Sequence, residues 1–242
     1  MKIITGMHRS GTSLVARLFY EAGADMGGSN FYRSDKWNPD GYFEKTDFHS
    51  VNMPLINGHF GKLAYFSLPT TNKILKRAKK ISDKIRDLSM KYHAKVVKET
   101  RFCLTLPAWL EYGHEIEKII ICFRDPIQVA YSIKKRYHVF LSHSLNLWYE
   151  HNFRILDNAK NIPLWFVYYK NLLAEETSLK EIQSVLNFFG INLNQEKILE
   201  LKQKCVKPDL NHNKMEVTTY PKKINDLWER ILNMHKIQFI KK

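Results

Sequence analysis

Short apolar runs alternate along this chain with longer stretches in which apolar residues return every three or four positions. Lys2 to Thr5 is β-prone and passes at once into a glycine-bounded turn, after which Leu14, Val15, Leu18 and Phe19 recur at helical spacing between Ser13 and Ala22. Ala94 to Val97, Lys118 to Phe123 and Leu164 to Tyr168 are further β-prone runs, the first two ending in clusters of charge. Helices are expected over 42–55, 71–92, 126–136, 142–159, 178–189 and 195–204, and the polar, turn-rich stretch 27–41 reads as a surface loop. Strands that alternate with helices and are themselves nearly all apolar fit a parallel sheet covered on both faces. The expected fold class is α/β: a three-layer αβα sandwich with a mainly parallel central sheet, P-loop NTPase-like, in one domain spanning 1–242. In such sheets ligands gather at the carboxyl ends of the strands.

Composition adds a preference for anions. Thirty-eight Lys and Arg against 24 Asp and Glu leave a formal charge of +14 over 242 residues, which favours nucleotides, acidic glycans, nucleic acid or anionic lipid without choosing among them. The run KRAKK at 76–80 reads as the solvated face of an amphipathic helix. Cys103, Cys122 and Cys205 are far apart and show no C-x-x-C spacing, so neither a disulfide framework nor a zinc site is expected, and a reducing compartment fits best. No apolar run approaches the length of a membrane span, and the first residues lack the layout of a secretory signal. A cytoplasmic protein without a transmembrane segment is the expectation.

Gly6-Met7-His8-Arg9-Ser10-Gly11-Thr12-Ser13 has the G-x-x-x-x-G spacing of a phosphate loop, between a strand and a helix. Backbone N–H groups there would converge on an anion at the positive end of a helix dipole. In loops that cleave ATP or GTP the second Gly is followed by a Lys and then by the Ser or Thr that holds magnesium. Here Thr12 stands in place of that Lys, and the cation lies inside the loop at Arg9. Further on, Arg124-Asp125-Pro126 closes a strand, Pro126 suits the first turn of a helix, and Ser132 follows Arg124 by two helical turns. Arg124 and Ser132 could hold one anion together; equally, Arg124 could pair with Asp125.

H-R-S-G-T-S after a strand resembles the 5′-phosphosulfate loop of the sulfotransferase superfamily, and C-F-R-D-P-I-Q-V-A-Y-S resembles its 3′-phosphate motif. N-P-D-G-Y-F-E at 38–44, V-K-E-T-R-F-C-L-T-L-P-A-W at 97–109 and V-Y-Y-K-N-L-L at 167–173 are similar to stretches of bacterial-type members. The resemblance implies transfer of a sulfuryl group from 3′-phosphoadenosine 5′-phosphosulfate (PAPS) to a hydroxyl or amine, leaving adenosine 3′,5′-bisphosphate (PAP), with no metal required. It places Arg9 on the sulfuryl group and bridging oxygen, His8, Ser10, Gly11, Thr12 and Ser13 in the 5′-phosphate loop, Arg124 and Ser132 on the 3′-phosphate, and Lys98 near the leaving oxygen. Relatives often read K-D-P-R at Lys98-Glu99-Thr100-Arg101 and Y-E-D-L at Tyr169-Lys170-Asn171-Leu172. Their glycine-rich loop near the C-terminus is replaced here, at best, by Lys207 and His212.

Attack by a hydroxyl improves when a side chain takes its proton. Glu44, at the end of N-P-D-G-Y-F-E, is the first choice for that base. Glu99 is the rival, with a pKa expected to be depressed by the flanking Lys98 and Arg101. His8 is expected to shape the loop or pair with a neighbour rather than to take the acceptor proton. The acceptor lies beyond the motifs, with a glycan or glycolipid hydroxyl as the expectation. Two other functional classes compete: a P-loop nucleotide kinase or NTPase, opposed by Thr12, and a basic nucleic-acid-binding protein, opposed by the lack of any recognised nucleic-acid motif. A donor-binding protein without turnover is a third.

Overall fold

A computed structural model describes residues 1–36, 38–57, 67–207 and 219–240. Four strands, β1 (Lys2–Thr5), β2 (Val96–Lys98), β3 (Lys118–Phe123) and β4 (Leu164–Tyr168), form a wholly parallel sheet in the order β2-β1-β3-β4. Alternation along the strands sends each residue to one of two cores. Ile3, Val97, Ile119, Ile121, Phe123 and Phe166 pack on one face, and Ile4, Val96, Ile120, Cys122, Trp165 and Val167 on the other.

The first face is covered by α2 (Thr46–Asn57), α3 (Thr71–Lys79), α4 (Ser82–Lys91), α5 (Phe102–Tyr112), α6 (Pro126–Tyr137), α7 (Leu141–Asn158) and α11 (Lys222–Ile240). The second is covered by α1 (Thr12–Glu21), α8 (Tyr169–Leu173), α9 (Glu175–Phe188) and α10 (Gln195–Cys205). The expected α/β class and three layers are therefore present. The outer edge of β4 is closed by α11: the Gln238 amide accepts from Phe166 N–H at 2.8 Å and donates to Phe166 C=O at 2.6 Å, occupying the groups a further strand would use.

Several elements depart from the sequence expectation for identifiable reasons. The helix expected from 42 begins at Thr46, because Glu44 pairs by a backbone bridge with Lys98 and Lys45 with Phe31, while Phe43 takes a left-handed φ of 55°. The single helix expected over 71–92 is two. Lys80 and Ile81 donate to carbonyls only three residues back, which breaks the ladder between α3 and α4. Within the supposedly solvated run, Arg77 donates to the carbonyls of Leu55 and Ile56 at 2.8 and 2.7 Å and so caps the end of α2. Helix α5 went unpredicted because it is buried nearly all round, which erases the amphipathic period.

The strand order reverses between β1 and β3: the chain leaves β1 for β2 on one side, then crosses to β3 on the other. A crevice opens at the carboxyl ends of such a pair. At its floor Gly6, with φ of 144°, turns so closely over β3 that a Cβ would lie 2.2 Å from the Cys122 carbonyl oxygen. We expect Gly6→Ala to destabilise the fold by about 3 kcal/mol or more, since the clash is with backbone and the φ is strained for any other residue. Equilibrium urea unfolding measures it; a loss below about 1 kcal/mol would mean that the loop lifts off β3 at little cost.

Candidate functional site

All four strand ends contribute to one cavity of about 350 Å³ in this crevice. From the loop after β1 come His8, Arg9, Gly11, Thr12, Ser13 and Leu14; from β2, Lys98 and the following Thr100; from β3, Arg124; from β4, Tyr169. Helix α6 adds Ser132 and Arg136, and the 36–44 segment closes the side. Five lining residues are Lys or Arg (Arg9, Lys36, Lys98, Arg124, Arg136) against two acids, Asp40 and Glu44, so the cavity suits a polyanion.

The glycine loop has the geometry that such a ligand needs. Gly11 takes a left-handed φ of 87° as the residue before α1, and a Cβ on it would meet the Tyr169 ring at 2.3 Å. The first N–H groups of α1 have no acceptor within the helix, and Gly11, Thr12, Ser13 and Leu14 all line the cavity. Arg9 holds a left-handed φ of 73°, a strained conformation for a residue with a side chain, and its Nε donates to Ser132 Oγ at 2.8 Å. Burial, then the neighbouring Arg136, lowers the Arg9 pKa.

Arg124 is buried to 8 % exposure; its Nε donates to Gln128 Oε1 at 3.0 Å and its guanidinium lies 4.6 Å from the centre of the Tyr169 ring. It does not pair with Asp125. That carboxylate caps α6, accepting from Ile127 and Gln128 N–H, while its second oxygen accepts from Tyr220 OH at 2.9 Å. Arg124 and Ser132 thus reach one cavity, with Ser132 presented beside Arg9.

Ser10 departs from the expectation: its hydroxyl is buried without a hydrogen-bond partner, its N–H donates to Met7 C=O at 3.1 Å, and it does not line the cavity. Glu99 is also absent from the lining. It is fully buried, accepting from Arg101 N–H at 2.9 Å and Arg101 Nη1 at 2.7 Å through one oxygen, with the other unpartnered. Lys98 turns away from it, so the expected depression of its pKa by two cations is reversed: burial raises it, and Arg101 offsets this only in part.

Glu44 does face the cavity, but clamped. Lys98 Nζ lies 2.5 Å from one of its oxygens and Arg101 Nη1 3.1 Å from the other, with Lys98 only 1 % exposed. Burial alone would raise the Glu44 pKa, yet Lys98 and Arg101 outweigh it and hold the carboxyl below its ordinary value. An ionised carboxylate so placed is a weak proton acceptor and a firm anchor for Lys98.

The stretch read in the sequence as a polar loop and as the start of the N-P-D-G-Y-F-E motif builds much of the wall through Lys36, Asn38, Pro39, Asp40 and Tyr42. Asn38 Nδ2 donates to Gly41 C=O at 2.6 Å and to Ser13 Oγ at 3.1 Å, tying the loop to the start of α1. Arg136 Nη2 donates to Tyr42 OH at 3.0 Å and Asp35 Oδ2 at 3.3 Å, and burial with the Asp35 bond pushes the Tyr42 pKa up to about 12. Arg136 was missed, although its place one turn beyond Ser132 on the same helix was a usable signal. Lys207 does not line the cavity, but its Nζ lies 2.7 Å from an oxygen of Asp40, which does. His212 lies outside the described residues.

Comparison with known proteins gives little further. No family model and no curated protein matches the chain. Among solved structures it is similar to a retinol dehydratase crystallised with androsterone and the inactive cofactor PAP, at 13% identity and a TM-score of 0.44, over 97% of this chain and 80% of that one. A likeness of that degree assigns neither ligand nor activity. Among the described residues no helix is long and apolar enough to cross a membrane, and no group of His, Cys, Asp and Glu is placed to hold a metal ion.

Glu44→Gln should cost about 3 kcal/mol or more of stability at neutral pH, because it leaves the buried Lys98 ammonium without its counter-charge. Glu99→Gln should cost distinctly less, since an amide oxygen still accepts from Arg101. The Glu44 contribution, from a folded pKa below the unfolded value of about 4.3, is complete above that value and disappears as pH falls through the folded pKa. Urea unfolding of both variants from pH 7 to pH 3 checks this; a Glu44→Gln deficit that persists unchanged at pH 3 would mean that the carboxylate charge is not what holds Lys98.

Proposed function

We propose that this chain is a PAPS-dependent sulfotransferase whose donor occupies the cationic cavity. The observation that carries the reading is the convergence of the loop that follows β1 with Arg124 and Ser132 in one cavity, where Thr12 replaces the lysine an NTP-cleaving loop requires. The fit rests on the donor set: Gly11 and the first residues of α1, Thr12 to Leu14, line the cavity with five cationic side chains, and Gly11 lies so close under the Tyr169 ring that a Cβ there would clash with it. A magnesium-dependent NTPase would need an uncommitted acid near the phosphates, and the two acids lining the cavity are ion-paired, Glu44 with Lys98 and Arg101 and Asp40 with Arg17 and Lys207. Asp125, the residue best placed in sequence, spends both oxygens on α6 and Tyr220.

In this reading the start of α1 with Arg9 takes the 5′-phosphate and bridging oxygen, Lys98 adds positive charge where the leaving oxygen develops, and Arg124 with Ser132 holds the 3′-phosphate. The acceptor oxygen attacks sulfur, the bond from sulfur to the bridging oxygen breaks, and its electron pair stays on the departing phosphate. Fixed cations and N–H groups neutralise that charge in place of a metal. Ser10 is left as a turn residue, and Glu44 fixes Lys98 and Arg101.

PAP should stabilise the protein without magnesium, by about 2.7 kcal/mol at 100 times its Kd, read as a thermal shift. A shift given by ATP with magnesium and not by PAP would replace this reading with an NTPase. Arg124→Ala should weaken PAP by about tenfold to a hundredfold and adenosine 5′-phosphate far less, because only PAP carries the 3′-phosphate; a charge-assisted bond is worth about 1.5 to 3 kcal/mol. Equal losses in calorimetric titration would make Arg124 a scaffold residue.

A further inference from the structure

A second cavity, of about 370 Å³, abuts the first and shares His8 and Thr100 with it. Its character is different. Met53, Ile56, Leu68, Leu104 and Tyr137 supply most of the wall; Asn57, His151 and Arg101 are the other polar groups, and no Asp or Glu lines it among the described residues. Arg101, the one Lys or Arg that lines it among the described residues, is already committed to Glu99 and Glu44. Among the described residues a sulfated or acidic sugar would find no unspent charge there and few partners for its hydroxyls, whereas an apolar ring or chain would be well covered.

The imidazole of His8 stands where the two cavities meet. It is enclosed yet partly accessible, edge-on to the rings of His151 and Tyr137 at centroid distances of 5.7 and 6.2 Å. His151 Nδ1 lies 2.7 Å from the Leu147 carbonyl oxygen, which can only accept, so Nδ1 keeps its proton and Nε2 its lone pair. Resting on the sulfotransferase reading, we propose that the second cavity binds an uncharged apolar alcohol or phenol and that His8 accepts its hydroxyl proton as the oxygen attacks the sulfuryl group held in the first. The new bond is acceptor oxygen to sulfur, the broken one is sulfur to the bridging oxygen, and the O–H electron pair remains on the acceptor while the proton passes to the imidazole. Glu44 is too strongly clamped for this task and Glu99 lines neither cavity.

The surroundings keep His8 neutral until a donor arrives. Burial first, then His151 on α7, Arg101 before α5, Arg9 in its own loop and Arg136 on α6 push its pKa well below the ordinary value, with Tyr137 on α6 completing the enclosure. A polyanion in the first cavity opposes those cations and raises the basicity of His8 when a base is needed.

The test uses the full chain with PAP, PAPS and 2-naphthol. In the wild type 2-naphthol binds, PAP moves the titration midpoint of the His8 ring proton upward in NMR spectra, and labelled sulfate passes to 2-naphthol in preference to glucosamine. Leu68→Trp, which fills the second cavity, abolishes 2-naphthol binding and keeps the PAP thermal shift. At saturating PAPS, His8→Gln lowers kcat by about a hundredfold and removes the acidic limb of the pH profile. Preferred transfer to the sugar, 2-naphthol binding that survives Leu68→Trp, a His8 midpoint unmoved by PAP, or near-normal kcat in His8→Gln overturns the proposal while the PAP shift still supports a sulfotransferase. Absence of the PAP shift itself overturns the sulfotransferase reading on which it rests.

Discussion

A lysine ammonium almost wholly buried at the end of β2 constrains much of what surrounds it. Lys98 must be neutralised where it stands, because an uncompensated charge at 1 % exposure costs more than the domain can spare. The counter-charge comes from Glu44, 54 residues earlier, so the segment before α2 is drawn against the sheet and pairs with β2 by a backbone bridge. Glu44 also engages Arg101, which engages Glu99, and four charges from two segments, Glu44 and residues 98–101, become one network. One side of that network faces the cationic cavity through Lys98 and Glu44, and the other faces the apolar cavity through Arg101. The same network therefore builds part of the wall between the cationic cavity and the apolar one.

The glycine loop reaches that junction from the other side. Gly6 lets the chain pass close over the Cys122 carbonyl, Arg9 takes a left-handed conformation, and Gly11 starts α1 beneath the Tyr169 ring. Between these fixed points His8 has little choice of position, with Tyr137 and His151 flanking it. Strain at Arg9 of about 1 to 3 kcal/mol is tolerated because the loop is held at both ends. The reward is that Arg9 reaches Ser132 on α6 and stands in the same cavity as Arg124.

The layered architecture was legible in the sequence because all four strands are short apolar runs and the amphipathic helices declare their period. The phosphate-loop spacing and the Arg124–Ser132 interval were legible for the same local reason: each lies within one strand, turn and helix. Helix α5 was hidden by burial nearly all round its first two turns, and the break between α3 and α4 by an apolar spacing that runs unbroken through Ile74, Ala78, Ile81 and Ile85. Side-chain direction was hidden most completely. Lys98, Glu99, Thr100 and Arg101 are consecutive, yet Lys98 crosses to Glu44, Glu99 turns into the interior, Thr100 lines both cavities and Arg101 bridges two carboxylates.

That divergence decides the proton chemistry. Reading charges along the chain makes Glu99 a weakened base between two cations and Glu44 a free one at a helix start. In space the relation inverts: Glu99 is desolvated and raised, out of reach of either cavity, and Glu44 is at hand but held ionised by two cations. Neither carboxylate combines access with basicity. A neutral imidazole enclosed among arginines gains basicity when negative charge enters beside it. Under the proposed sulfotransferase reading, that would couple a base at His8 to the presence of the donor and tie proton removal to the complex in which sulfur is there to be attacked.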